Sequence, residues 1–200
     1  MQIVPLTLDG KHIRLEPLSL AHQAQLSEVG CDDNIWRWSP RAAIRTPDDM
    51  RRYIESALQQ HSKGASLPFA TIERASGRAV GSTRFAEIDV EHRRVEIGYT
   101  WIAPPWQRTA VNTEAKYLMM RHAFETWECI RVELKTDSLN ERSRNAILRI
   151  GAKEEGVLRN HMLTHGGRLR HSVYFSVIAA EWPAVKASLE AKLARPYPPR

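Results

Sequence analysis

The 200-residue chain has only two cysteines, Cys31 and Cys129, and neither stands in a C-x-x-C pair. Their scarcity excludes a disulfide scaffold and a cysteine-rich zinc site, and the expectation is two reduced thiols in a cytoplasmic protein. No apolar run approaches the ~18 residues of a membrane span, and the start, MQIVPLTLDGKH, lacks an apolar signal core. Neither G-x-x-x-x-G-K-[ST] nor G-x-G-x-x-G occurs, so the common nucleotide-binding loops are missing. Repeats and low-complexity tracts are absent. The net charge of +6 would suit an anionic partner, but no four basic residues are consecutive. Scattered cations read as a solvated surface rather than a nucleic-acid stripe.

What is present is ordinary globular material, 42% hydrophobic and 26% charged, in a length that suits one domain with a sizeable core. One domain over 1–200 is expected, with 1–9 and 196–200 as loose ends. Its organising stretch runs from Val95 to Trp127. Val95, Ile97, Tyr99 and Trp101 alternate with Glu96, Gly98, Thr100 and Ile102, the period of a strand. Pro104 and Pro105 stop the ladder because they have no amide hydrogen. From Val111 the period becomes helical, and an apolar surface broader than one stripe predicts a helix covered on several sides. A strand feeding a helix this way aims unpaired amides and the positive end of the helix dipole at one point, which favours anions.

The rest of the chain flanks that unit. Ile13 to Pro17 reads as a first strand, followed by a helix from Ser19 to Gly30. Thr46-Pro47-Asp48-Asp49 is a capped helix start, and Gly64 ends the helix. Two strands, Leu67 to Arg74 and Ala79 to Val90, turn at Ser76-Gly77 and lead back into the Val95 strand. Past the central helix, Arg131 to Thr136 is expected to lie parallel to that strand. A helix from Glu141 to Ile150 and two strands, Ala152 to Arg159 and His171 to Ala180, complete the sheet. A short helix follows Glu181, and PYPPR ends the chain. His161, His165 and His171 have no nearby acid or cysteine to complete a metal set, so no metal is expected.

Glu96-Ile97-Gly98-Tyr99, Gln107 to Lys116 (QRTAVNTEAK) and Asn140 to Ala152 (NERSRNAILRIGA) together resemble the GCN5-related N-acetyltransferases (GNAT), in the branch of the ribosomal-protein N-terminal acetyltransferases. The order of elements matches from about residue 10 to 180. The resemblance implies an α+β fold: a central mixed, mostly antiparallel sheet of about six to seven strands, with flanking helices and a splayed parallel pair in the middle. It implies acetyl transfer from acetyl-CoA to a primary amine, either a protein N-terminus or a small amine, without a metal or a membrane. Gln107, Arg108, Thr109, Ala110, Val111, Asn112 and Thr113 would hold the pyrophosphate through the loop and helix start. Asn140 and Arg144 would face the same cleft, and pantetheine would bond to strand backbone near Ile102.

The sequence departs from the family pattern in places. Ala110 stands where [QR]-x-x-G-x-[GA] has glycine, and Asn112 where a small residue is usual; Arg108 offers a charged phosphate ligand in compensation. Ile147 occupies the position of the acidic tyrosine of many members, and Ser143 resembles the serine used as general acid in this branch. Glu96 is the candidate base, acting through water; its other reading is an ion pair with Arg84 or Arg94. Trp36 and Trp38 either wall the acceptor site or anchor a loop on the core, and Asn140 serves equally as a helix cap. Glu114, in the first helical turn, reads as structural. A cofactor-binding module without turnover is the alternative that Ala110 and Ile147 suggest, and a nucleic-acid-binding protein rests on charge alone. The sequence leaves a homo-oligomer open.

Overall fold

Thr46 opens the longest helix as its T-P-D-D start predicts. In α3 (Pro47–Ser62) the Thr46 side chain accepts the Asp49 amide, and the Asp49 carboxylate accepts the Thr46 amide. Met50, Ile54 and Ala57 bury one stripe of it. Two shorter helices precede it, α1 (Gln23–Gly30) and α2 (Asp33–Trp36). The computed structural model describes residues 1–196, so Tyr197 to Arg200 of the expected loose end lie outside the described residues.

One sheet collects β1 (Leu8–Asp9), β2 (Ile13–Pro17), β3 (Ser66–Glu73), β4 (Arg78–Asp89), β5 (Arg94–Ile102), β6 (Arg131–Asp137), β7 (Lys153–Leu163) and β8 (Leu169–Ile178), in the order β1-β2-β3-β4-β5-β6-β8-β7. Every neighbouring pair is antiparallel except β5 and β6. The eight strands exceed the expected six to seven, and the additional one corrects the expectation of a loose start. Leu8 pairs with Leu15 and is buried, while Met1, Ile3 and Leu6 pack on the core. These apolar side chains give the segment a surface to bury, and its end, Leu8–Asp9, joins the sheet edge.

Alternate residues of the central strands serve two cores. Val80, Phe85, Val95 and Ile97 join α4 (Ala110–Arg121), α5 (Glu141–Arg149) and α6 (Trp182–Leu193) on one face. Ala79 and Trp101 join the cluster around α3 and Trp36. The central helix does not remain regular to Trp127. It widens to a π-helical turn over His122–Thr126, where Phe124 stacks on Trp182 and Trp127 packs on Phe85.

Candidate active site

The parallel pair is short. Its register joins Arg94 to Arg131, Val95 to Val132 and Glu96 to Glu133, then stops. Beyond Glu96, β5 keeps only β4 as its partner, while β6 continues along β8 as far as Asp137. A bulge accompanies the parting: the β4 register jumps from Arg84–Gly98 to Ser82–Trp101, with Tyr99 at φ 52°. An extra residue on one strand increases its twist, which turns the edge of β5 away from β6. The Ala103 amide donates to the Val80 carbonyl at 2.9 Å. Backbone alternation therefore directs the N–H and C=O of Ile102 to the open edge. There Gln107 Nε2 donates to the Ile102 carbonyl at 2.7 Å.

The start of α4 faces this opening. Thr109 is its cap, accepting the Val111 amide through Oγ1, and the other first-turn amides have no intrahelical partner. Arg108 takes φ 62°, a left-handed conformation that turns the chain into the helix, and its side chain is exposed. Ala110 needs no positive φ and is 4% exposed, so its methyl is packed within the protein. Asn112 is half-buried, whereas Val111 and Thr113 are buried, and Arg149 of α5 donates to Thr113 Oγ1 at 2.9 Å. Gln107 also accepts from Arg142 Nη1 at 2.8 Å, tying the loop to α5. Asn140 caps α5 through the Ser143 amide at 3.1 Å. A groove of about 490 Å³ lies between the loop before α4 and the start of α5, with Trp38, Pro104, Gln107, Asn140 and Arg142 in its walls; residues 108–113 are not among its lining.

On the sheet face away from α4, Glu96 is 3% exposed and pairs with Lys135 Nζ at 2.8 Å. Burial pushes its carboxyl above the usual carboxylate range, and the neighbouring ammonium only partly offsets that. This corrects the expected ion pair with Arg84 or Arg94. Arg84, fully buried, lies between the rings of Tyr53 and Tyr99 and donates to Gln60 Oε1 at 3.1 Å, while Arg94 pairs with Asp89 and Glu133. Thr100 also departs from its expected place beside Glu96 and Gly98. The bulge shifts the alternation, and its hydroxyl meets Thr83 Oγ1 at 2.8 Å and Lys116 Nζ of α4 at 2.6 Å.

The remaining candidates separate. Ser143 is half-buried on the first turn of α5, one turn before Ile147, whose side chain is buried in the α4 core. Arg144 pairs with Glu154 at 3.3 Å. Trp36 is a core residue: its Nε1 donates to the Gly30 carbonyl at 2.8 Å, and its ring packs on Tyr53 and Trp101. Its burial corrects the reading of Trp36 as an acceptor wall. Trp38 lies at the groove between the guanidiniums of Arg37 and Arg168. His161 bonds Ser172 Oγ, and His171 accepts the Asn160 amide. Sequence reasoning passed over Lys135, which is remote in the chain. It also passed over Lys116, whose signal was a lone cation between Ala115 and Leu118 in a broadly apolar helix.

A short parallel pair that splays over the amide end of a helix leaves an open strand edge beside unpaired amides, a place suited to an elongated anionic ligand. The comparisons carry the matter to a family. Residues 12–153 match the acetyltransferase (GNAT) domain, and the chain belongs to that family. A GCN5-related N-acetyltransferase structure from Brucella melitensis is 30% identical, covers 96% of this chain and 86% of its own, and superposes with a TM-score of 0.89. YdaF of Bacillus subtilis, named for a proposed ribosomal N-acetyltransferase activity, is 34% identical over 111 residues, 55% of this chain. That match spans 59% of the length of YdaF. The structure of Mycobacterium smegmatis RimJ with CoA-disulfide, 20% identical, shares the fold with a TM-score of 0.82 over 95% of this chain and 96% of its own.

Proposed function

We propose that the protein transfers the acetyl group of acetyl-CoA to a primary amine by direct attack. The observation that carries this reading is the opened edge of β5 beyond Glu96, set beside the unpaired first-turn amides of α4. The amides and Arg108 would hold the pyrophosphate. The edge N–H groups, that of Ile102 among them, would meet pantetheine and the tetrahedral oxyanion. Glu96, raised above the usual carboxylate range, would take the amine proton, directly or through water. Ser143 would present its O–H to the departing sulfur. The YdaF name supports a protein N-terminal amine as acceptor, with small amines as the other class. Both cysteines are free thiols, as in a reducing cytoplasm, which is the proposed place of action.

Release of CoA thiol from acetyl-CoA, measured with N-terminal peptides and with small amines, tests this. Turnover with either class supports the transferase. Binding of acetyl-CoA without turnover on any amine would instead favour a cofactor-binding module, and no binding would remove both readings.

A further inference from the structure

Among the described residues, Lys116 is a buried cation on the helix side of the site that the reaction described above leaves unused. It is 5% exposed, and among the described residues it has no ion pair; its recorded bond is to Thr100 Oγ1 at 2.6 Å. Thr100 lies on β5 past the point where β6 departs, and its hydroxyl continues to Thr83 on β4. A lysine stem running from α4 thus ends its ammonium under the bulge, beside the open strand edge. Glu96 stands on the opposite face of the same strand, held by Lys135. On the acetyl-transfer reading the amine would enter over Glu96, and the cofactor sulfur would lie on the helix side.

We propose that Lys116 carries the proton taken by the departing CoA thiolate, with the Ser143 hydroxyl adding a hydrogen bond to that sulfur. This rests on the acetyl-transfer reading. The amine nitrogen bonds to the acetyl carbon, the carbon–sulfur bond breaks, and the nitrogen gives its proton to Glu96. The sulfur receives a proton from the Lys116 ammonium, so amide and thiol form with no outside reactant, and solvent resets the two side chains.

The energetics fit. Burial brings the Lys116 ammonium down to about 7, with the charge of Glu96 acting in the opposite direction. A free thiol titrates at about 8.5, so transfer from Lys116 to a thiolate runs downhill, whereas an ordinary lysine at about 10.4 would not deliver it. The two groups are also coupled. When Glu96 gains the amine proton it loses the charge that favoured the Lys116 ammonium, and Lys116 becomes the stronger acid at the step that needs one. The other charges nearby are Lys135 behind Glu96, Glu114 on α4, whose carboxylate is occupied by main-chain amides, and Arg149 from α5 on Thr113.

Two measurements test this on the full chain. In Lys116→Met, a buried apolar side chain of similar length, kcat should fall by about 100-fold, a usual effect of losing a general acid, with acetyl-CoA affinity kept. The wild-type kcat should decline with rising pH above about 7, and that alkaline limb should vanish in the variant. Unchanged kcat, or a wild-type limb of the opposite sign, overturns the proposal. Separately, the Lys116 side-chain NMR signal should titrate near pH 7, and lower in Glu96→Gln. Titration near 10 overturns it whether or not the enzyme turns over. Should the wild type acetylate no amine, the acetyl-transfer reading fails and the proton transfer falls with it, whereas turnover with Lys116 titrating near 10 removes the role of Lys116 alone.

Discussion

A Cβ at Gly98 would overlap Glu96 Oε1, so the strand gives up a side chain in order to let the carboxylate fold back along it. The register that pairs Gly98 with Arg84 ends there, and the bulge begins at the next residue. The glycine is therefore a condition for the position of Glu96 rather than a source of backbone freedom.

Gly98→Ala is expected to displace Glu96 from Lys135. The kcat should fall at least ~10-fold, with a stability loss of about 1–3 kcal/mol from overpacking. Steady-state kinetics beside a denaturant titration measure both, and wild-type kinetics in the alanine variant would show that the carboxylate position is unimportant.

Glu114 accepts the amides of Lys11, His12 and Ile13 at 2.8, 2.7 and 2.7 Å, fastening the turn before β2 to α4. It is 4% exposed. Glu114→Gln places an NH₂ against donors and should destabilise the fold by about 3 kcal/mol or more, the scale of breaking a buried charged hydrogen-bond set. Thermal unfolding checks this, with the KM of acetyl-CoA little changed in folded material.

Ser143→Ala should reduce kcat by about 10 to 1000-fold, with little effect on acetyl-CoA binding. Calorimetric binding beside initial rates separates the two, and unaltered turnover would dismiss the hydroxyl.

Burial pushes the Lys116 ammonium down to about 7 in the folded chain, against 10.5 for a free side chain, so the unfolded state holds more protons between those values. Stability then rises with pH across that window, and the penalty is full below about 7. Lys116→Met should therefore be the more stable protein at pH 7, by about 4 kcal/mol on the linkage relation, with the difference shrinking toward pH 10. Urea midpoints at several pH values measure the trend; a constant difference would mean that Lys116 is not desolvated.

Much of the frame was legible locally. The T-P-D-D cap at Thr46, the turn at Gly77 and the period change after Pro105 fall where the structure has α3, the β3–β4 turn and the start of α4. The family motifs marked the α4 start and the α5 start, and of their residues Gln107, Asn140, Glu141 and Arg142 line one groove. Burial of Trp36 was one of two open readings, since a tryptophan in a loop suits either role.

What sequence order determined was the set of elements and the chemistry available on them, because caps, turns and periodicity act over a few residues. Tertiary structure decided which partners those side chains have. Lys135 reaches Glu96 only because a crossover brings β6 alongside β5, and Glu114 meets residues about a hundred positions earlier through the packing of α4 on the sheet. The bulge at Tyr99 turned Thr100 toward Lys116, since one inserted residue reverses every later side chain of a strand. Burial then set the proton affinities of Glu96 and Lys116, a property of the surrounding dielectric that no local pattern of residues encodes.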